Sequence, residues 1–73
     1  HSGSEVDIVV QYGERLLPIE VKAGTTIASS DARGIERFVD AYPAHCSFGL
    51  VIYAGDETRV LSRSAVAFPA GAL

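Results

Sequence analysis

The stretch EVDIVVQYGERLLPIEVK, residues 5–22, decides the fold because it reads as two strands joined by a tight turn. Residues 5–10 alternate charged and apolar side chains before becoming wholly apolar, and residues 16–22 show nearly the reverse pattern. Gly13 supplies the positive φ that a two-residue hairpin turn requires. If Gly13 and Glu14 are the central turn residues, paired positions on the two strands sum to 27. The sequence therefore predicts an antiparallel hairpin in that register.

This register places the charged side chains of the hairpin together on one face. Asp7 would face Glu20, and Glu5 would face Lys22, since side chains repeat every second residue along a strand. The opposite face would carry only apolar side chains, and we expect it to face the core. Its members are Val6, Ile8, Val10, Leu17, Ile19 and Val21.

The three clustered carboxylates suggest a bound cation. Like charges directly opposite each other in an antiparallel pair destabilise it by about 0.2–1 kcal/mol. A divalent cation between Asp7 and Glu20 would relieve that repulsion, and magnesium favours one or two carboxylates completed by water and phosphate oxygens. We expect these two residues as metal ligands and Lys22 as a third catalytic residue. In the alternative interpretation, Glu5 pairs with Lys22 and no metal binds. A bulge in either strand would also break the register.

Composition indicates one small globular domain. The chain has 73 residues, 48% of them hydrophobic, and a chain of this length buries only about 60% of its unfolded surface. A net charge of −3 provides no general basic field, so nucleic-acid binding would need a local patch. The single Cys46 cannot form an internal disulfide, and no apolar run approaches the roughly 20 residues of a membrane span. We therefore expect a cytoplasmic protein without a membrane partner.

The rest of the chain predicts a crossover helix followed by further strands. Ser30 is suited to cap the helix, Asp31 to occupy its first turn, and Pro43 to end it. Residues 48–53 are apolar on both faces, as in a central parallel strand. A turn at Gly55-Asp56 would lead into residues 58–61, and residues 65–68 form one more short strand. The amphipathic stripe of the helix is Ile35, Phe38, Val39 and Tyr42. The predicted class is α/β with a mixed sheet.

Other candidate residues carry weaker signals. Arg33 and Arg37 share the helix face away from the apolar stripe, where solvation is the simpler interpretation and phosphate contact the alternative. The adjacent pair His45-Cys46 lacks the ligand count of a zinc site, so Cys46 is interpreted as core filler. No phosphate-binding loop is present in the sequence, which excludes ATP hydrolysis by this segment.

The hairpin, helix and buried strand resemble the core of the PD-(D/E)xK, or restriction-endonuclease-like, nucleases. Asp7 matches the acid of that motif, Glu20 and Lys22 match E-x-K, and Val6 replaces the less constant proline. A closer resemblance covers nearly the whole chain, which is similar to the C-terminal end of prokaryotic AAA-type ATP-binding proteins ending in domain of unknown function 4143. It rests on the motifs SGSEVD, LPIEVKAG, SDARGI, AYP, FGLVIYAGD and FPAGAL.

The resemblance implies that residues 1–73 are a single domain at the C-terminus of a longer polypeptide with an ATPase module upstream. A helix with another acidic residue and a first strand would precede His1. We therefore expect this chain, with an exposed sheet edge, to form homo-oligomers.

For function, the resemblance implies hydrolysis of phosphodiesters by the full-length protein with Mg²⁺, replaceable by Mn²⁺, while the fragment alone would be inactive. The alternative is a non-catalytic dimerisation or protein-interaction module of the ATPase. The positions of four arginines discriminate between them: flanking the carboxylates they favour nucleic acid, and scattered they favour the interaction module. The four are Arg33, Arg37, Arg59 and Arg63.

Overall fold

The computed structural model describes residues 6–73, which form a mixed five-stranded sheet with one α-helix on one face. The predicted α/β class and mixed sheet are confirmed. The spatial order of the strands is β1-β2-β3-β5-β4. In chain order the elements are β1 (Ile8–Tyr12), β2 (Arg15–Val21), a 3-10 turn (Ser29–Ala32), α1 (Arg33–Ala41), β3 (Gly49–Tyr53), β4 (Arg59–Ser62), β5 (Ala65–Pro69) and a second 3-10 turn (Ala70–Ala72).

The hairpin has the register that the sequence predicts. Pairs run from Ile8 with Ile19 to Tyr12 with Arg15, and each pair sums to 27. Gly13 has a φ of 63°, as the turn requires. The local turn chemistry and the strand alternation are therefore sufficient to specify this part of the fold.

The centre of the sheet is parallel. β2 pairs with β3, and β3 pairs with β5, both in parallel, while β4 closes the far edge antiparallel to β5. β3 is the most buried strand, in agreement with its continuous apolar sequence. The crossover from β2 to β3 carries α1, so the end of β2 lies close to the start of the helix.

The helix packs closely against the sheet through a glycine. A Cβ atom added to Gly49 would lie 2.7 Å from Pro18 Cγ and 2.9 Å from Ile35 Cγ2, so only glycine fits between strand and helix. Predicted capping by Ser30 is wrong: Ala32 is the N-cap of α1 and makes no side-chain capping bond. Asp31 instead closes the 3-10 turn, because its Oδ2 accepts a 2.9 Å hydrogen bond from the Ala28 N–H. The buried core cluster is Ile27, Ala32, Ile35, Val51, Tyr53, Ala65 and Ala67.

The predicted core face of the hairpin is wrong. Pro18 is buried beneath α1, and Glu20 shares its face of the sheet with the fully buried Val51. The residues expected in the core lie on the opposite face, where Ile8 is 49% and Val21 53% exposed. Of that set, only Val6 packs against the core cluster. The handedness of the crossover decides which face the helix covers, and the alternation of the hairpin does not contain that information.

The face opposite α1 carries an apolar row that crosses the whole sheet. We call this surface the open face. It consists of one row of residues that pair across adjacent strands, one residue from each strand, and of two apolar residues beside that row. The row is Ile8, Ile19, Leu50, Val66 and Val60, and the neighbours are Val10 and Val21.

Candidate functional site

A charged cleft lies between the end of β2 and the start of α1. It has a volume of about 170 Å³. Crevices outside the carboxyl ends of parallel strands are the usual ligand sites of open α/β sheets. The cleft forms here because the chain leaves β2 at Val21 and returns over the same strand through the 3-10 turn. Its lining residues are Glu20, Lys22, Ser30, Asp31, Arg33, Gly34 and Arg37.

Lys22 lies between two carboxylates in this cleft. Its Nζ is 3.0 Å from Glu20 Oε2 and 3.9 Å from Asp31 Oδ1. The side chain of Glu20 is only 15% exposed, whereas that of Lys22 is 38% exposed. Glu20, near the end of β2, and Lys22, one residue beyond its end, lie on the same side of the strand, as the sequence predicts. The sequence did not show that Asp31 joins them.

The carboxylates keep Lys22 charged. The hydrogen bond to Glu20 and the charge of that carboxylate raise the pKa of Lys22 above its ordinary value. The charges of Asp31 and Asp7 act in the same direction, and burial opposes them. Lys22 is therefore a protonated donor at neutral pH and is not suited to act as a general base.

One carboxylate oxygen of Glu20 has no partner in the part of the chain that the structure describes. Its Oε1 is buried and accepts no hydrogen bond within residues 6–73, whereas its Oε2 binds Lys22. A buried acceptor that lacks a hydrogen bond costs about 1–3 kcal/mol, and more when it is charged. Buried polar atoms of this kind call for a specific explanation. A cation or water bound at Oε1 would supply the missing interaction.

Asp7 does not stand opposite Glu20 in the strand ladder. The last regular pair is Ile8 with Ile19, and the Asp7 N–H donates a 3.1 Å hydrogen bond to the Ile19 carbonyl oxygen. The chain bends at Asp7, and its Oδ2 accepts a 2.8 Å bond from the Val21 N–H. The predicted direct pairing is therefore wrong, although the Asp7 charge still acts on Lys22. Glu5 lies outside the described residues, so its pairing with Lys22 stays a prediction.

The carboxylate oxygens of the cleft are compatible with a cation that keeps most of its bound water. Within residues 6–73 no three His, Cys, Asp or Glu side chains are grouped closely enough to enclose a metal ion. Glu20 Oε1, with Asp31 or Asp7 nearby, offers the one or two carboxylates that magnesium takes when water and phosphate complete its shell. Oxygen donors without thiolate or imidazole also favour magnesium or manganese over zinc.

The arginines that discriminate between the two functions are divided: two lie at the cleft and two lie elsewhere. Arg33 and Arg37 line it from α1. Arg59 donates a 3.4 Å hydrogen bond to the Ile27 carbonyl oxygen, and Arg63 lies in the turn between β4 and β5. The sequence favours a solvated face for the two helix arginines, with phosphate contact as the alternative. They are exposed, and they also form one wall of the cleft.

His45 and Cys46 take no part in this site. Cys46 is 2% exposed and its Sγ donates to the Phe48 carbonyl oxygen at 3.5 Å. Burial raises the pKa of the thiol, so its interpretation as core filler is confirmed. His45 Nδ1 lies 2.9 Å from the carbonyl oxygen of Glu14, at the hairpin turn.

No helix among residues 6–73 has the length and apolar character needed to cross a membrane.

Comparison with protein families gave a match over the whole chain. The family profile described as Domain of unknown function (DUF4143) matches residues 1–73. Neither the curated proteins nor the solved structures gave a match.

Proposed function

This chain belongs to the DUF4143 family, and we propose that its cleft hydrolyses phosphodiester bonds with the help of a divalent metal ion. In this proposal the chain is the PD-(D/E)xK nuclease-like domain at the C-terminus of an AAA-type ATP-binding polypeptide, with Asp7, Glu20 and Lys22 as its catalytic residues. The observation that carries the proposal is the buried Oε1 of Glu20, which has no hydrogen-bond partner within residues 6–73, beside a protonated Lys22.

Glu20 and Asp7 would hold Mg²⁺, with Mn²⁺ as a substitute. Glu20 contributes Oε1, and Asp7 contributes the carboxylate oxygen other than the one bonded to the Val21 N–H. Asp31, across Lys22 from Glu20, adds negative charge that favours a cation. When bound, magnesium polarises a phosphoryl oxygen and lowers the pKa of the attacking water.

Lys22 would stabilise negative charge in the transition state. Its ammonium group is held by Glu20 at 3.0 Å and stays protonated because its pKa is raised. A fixed donor aimed at an oxygen that gains charge stabilises the transition state more than the ground state. The 38% exposure of the Lys22 side chain leaves its ammonium accessible from the cleft.

Hydrolysis assays on the full-length polypeptide test this proposal. We expect Glu20→Gln and Lys22→Met to lose metal-dependent cleavage of oligonucleotides, because the first removes the ligand charge and the second the donor. Asp40→Asn is the matched control, since Asp40 is an exposed carboxylate of α1 outside the cleft lining. Activity of Glu20→Gln equal to that of the unsubstituted protein would contradict the proposal.

A second candidate function is a non-catalytic dimerisation module, and the open face favours it. Parallel strands usually occur in sheets covered on both faces, whereas the only α-helix of residues 6–73 covers one. With five strands about 4.8 Å apart and about 3.3 Å per residue, the whole side of the sheet that includes the open face spans on the order of 400 Å² in projection. The open face exposes apolar side chains there, with Ile8 49% and Val21 53% exposed, and exposed apolar patches often mark interaction sites. The occupant we propose is a second copy of this chain, packed sheet against sheet.

A further inference from the structure

We propose that Arg33 and Arg37 form a phosphate-binding subsite that holds the backbone of single-stranded nucleic acid in the cleft. The inference deepens the proposed function by assigning its substrate class. It rests on that proposal for the identity of the reacting group. Its test measures binding without metal and without hydrolysis.

The two guanidinium groups project from one wall of the cleft. Arg33 is the first residue of α1 and Arg37 follows at i+4, so their Cβ atoms lie about 5–6 Å apart on one side of the helix. Both residues are exposed and both line the cleft. Guanidinium groups bind phosphate through two parallel N–H donors, a geometry that lysine cannot provide.

Both signs of charge line the cleft. The charge of Lys22 is shared with two carboxylates, because its Nζ lies 3.0 Å from Glu20 Oε2 and 3.9 Å from Asp31 Oδ1. Arg33 and Arg37, which follow Asp31 in the chain, add two further positive charges to the lining. A phosphate group placed there lies beside the carboxylates that would bind a metal, so each ligand favours the other.

Overall charge favours a single strand over a duplex. The cleft, with a volume of about 170 Å³, has room for one phosphate group with water. Gly34 also lines the cleft and contributes no side chain. The chain carries a net charge of −3, so its general surface repels a polyanion. Duplex DNA carries one charge per about 1.7 Å of axis and needs a broad basic surface to neutralise it.

The test is fluorescence anisotropy of a short, labelled single-stranded DNA oligonucleotide with the 73-residue chain in EDTA. Affinity is measured from about 50 to 200 mM salt. Each phosphate contact contributes about −0.7 to the slope of log affinity against log salt for a single strand. We expect Arg33→Ala and Arg37→Ala each to weaken binding. Each should also make the slope less steep by about 0.7, because one phosphate contact is lost. Arg63→Ala, which removes the same charge from the β4–β5 turn, should leave the slope unchanged.

Two further variants separate this inference from a loss of fold and from the proposed chemistry. Arg33→Lys keeps the positive charge but lacks the two parallel N–H donors of the guanidinium group. We therefore expect its affinity to lie between those of Arg33→Ala and the unsubstituted chain. Glu20→Gln should bind more tightly in EDTA, because it removes a negative charge from the lining of the cleft. Equal slopes for Arg33→Ala, Arg37→Ala and Arg63→Ala would overturn the inference, as would equally arginine-dependent binding of a duplex. Arginine-dependent binding in a protein that never cleaves DNA would support the inference while the proposed hydrolysis fails.

Discussion

Lys22 Nζ lies 3.0 Å from Glu20 Oε2, and the other oxygen of the same carboxylate is buried without a hydrogen bond within residues 6–73. The two oxygens of this carboxylate are thus unequal: Oε2 is paired with the Lys22 ammonium, and Oε1 has no partner among the described residues. This asymmetry distinguishes the pair from a surface salt bridge, in which solvent completes both oxygens.

The first prediction concerns pH. The bond to Glu20 raises the pKa of Lys22 above 10.5, so the folded state holds this proton more tightly than the unfolded state. The stabilisation is fully present below pH 10.5 and is lost as the pH rises through the folded-state pKa. Urea unfolding across this alkaline range should show a smaller loss of stability in Lys22→Met than in the unsubstituted chain. Identical pH dependence in both would contradict the assigned interaction.

The second prediction concerns Gly49. An alanine there would place its Cβ 2.7 Å from the backbone oxygen of Pro18 and 2.9 Å from Ile35 Cγ2. Overpacking of this kind typically costs about 1–3 kcal/mol of unfolding free energy. Gly71→Ala is the matched control, because a Cβ at Gly71 meets no atom within 4 Å. Chemical denaturation of both variants measures the difference, and equal stabilities would show that the helix does not approach the sheet this closely.

The third prediction concerns the open face. Val9 and Val10 are neighbours on β1 with 43% and 41% exposure, but they point to opposite faces of the sheet. If two copies pack through the open face, Val10→Lys should reduce the mass found by light scattering to that of a monomer, whereas Val9→Lys should not. An equal effect of both substitutions would instead indicate pairing through the edge of β1. A monomeric mass for the unsubstituted chain at high concentration would contradict self-association altogether.

The fourth prediction concerns Cys46. Its thiol is 2% exposed, and burial raises its pKa, so the reactive thiolate is scarce in the folded chain. Reaction with a thiol reagent such as Ellman's reagent should therefore follow the opening of the structure and become fast in denaturant. Rapid labelling of the folded chain, at the rate of a free peptide thiol, would show that Cys46 is accessible.

The hairpin was predictable from the sequence because its determinants are local. Gly13 fixes the turn, and the turn fixes the register of β1 and β2 from Ile8 to Tyr12. The prediction failed one residue beyond that ladder, at Asp7, where a bend turns the carboxylate onto the Val21 N–H. Alternation along a strand carries no signal for such a bend.

The composition of the cleft was only half predictable. Glu20 and Lys22 share a face by strand periodicity alone. Asp31 and the two helix arginines reach them through the crossover, which brings residues 30–37 back over the end of β2. The sequence does contain one signal for these residues: an E-x-K motif at the end of a strand that leads into a crossover helix. Because the helix returns over the end of that strand, its first turns are expected to line the cleft across from Glu20 and Lys22.

The central claim is that Glu20 Oε1 is a metal ligand, and thermal unfolding with magnesium or manganese tests it most directly. A ligand that binds only the folded state stabilises it by about 2.7 kcal/mol at 100 times its dissociation constant. The measurement compares the unsubstituted chain with Asp7→Asn and Glu20→Gln across a range of metal concentrations. We predict a rise in Tm for the unsubstituted chain that both substitutions abolish. No rise in Tm, with both variants more stable than the unsubstituted chain, would contradict the metal site and favour the dimerisation module.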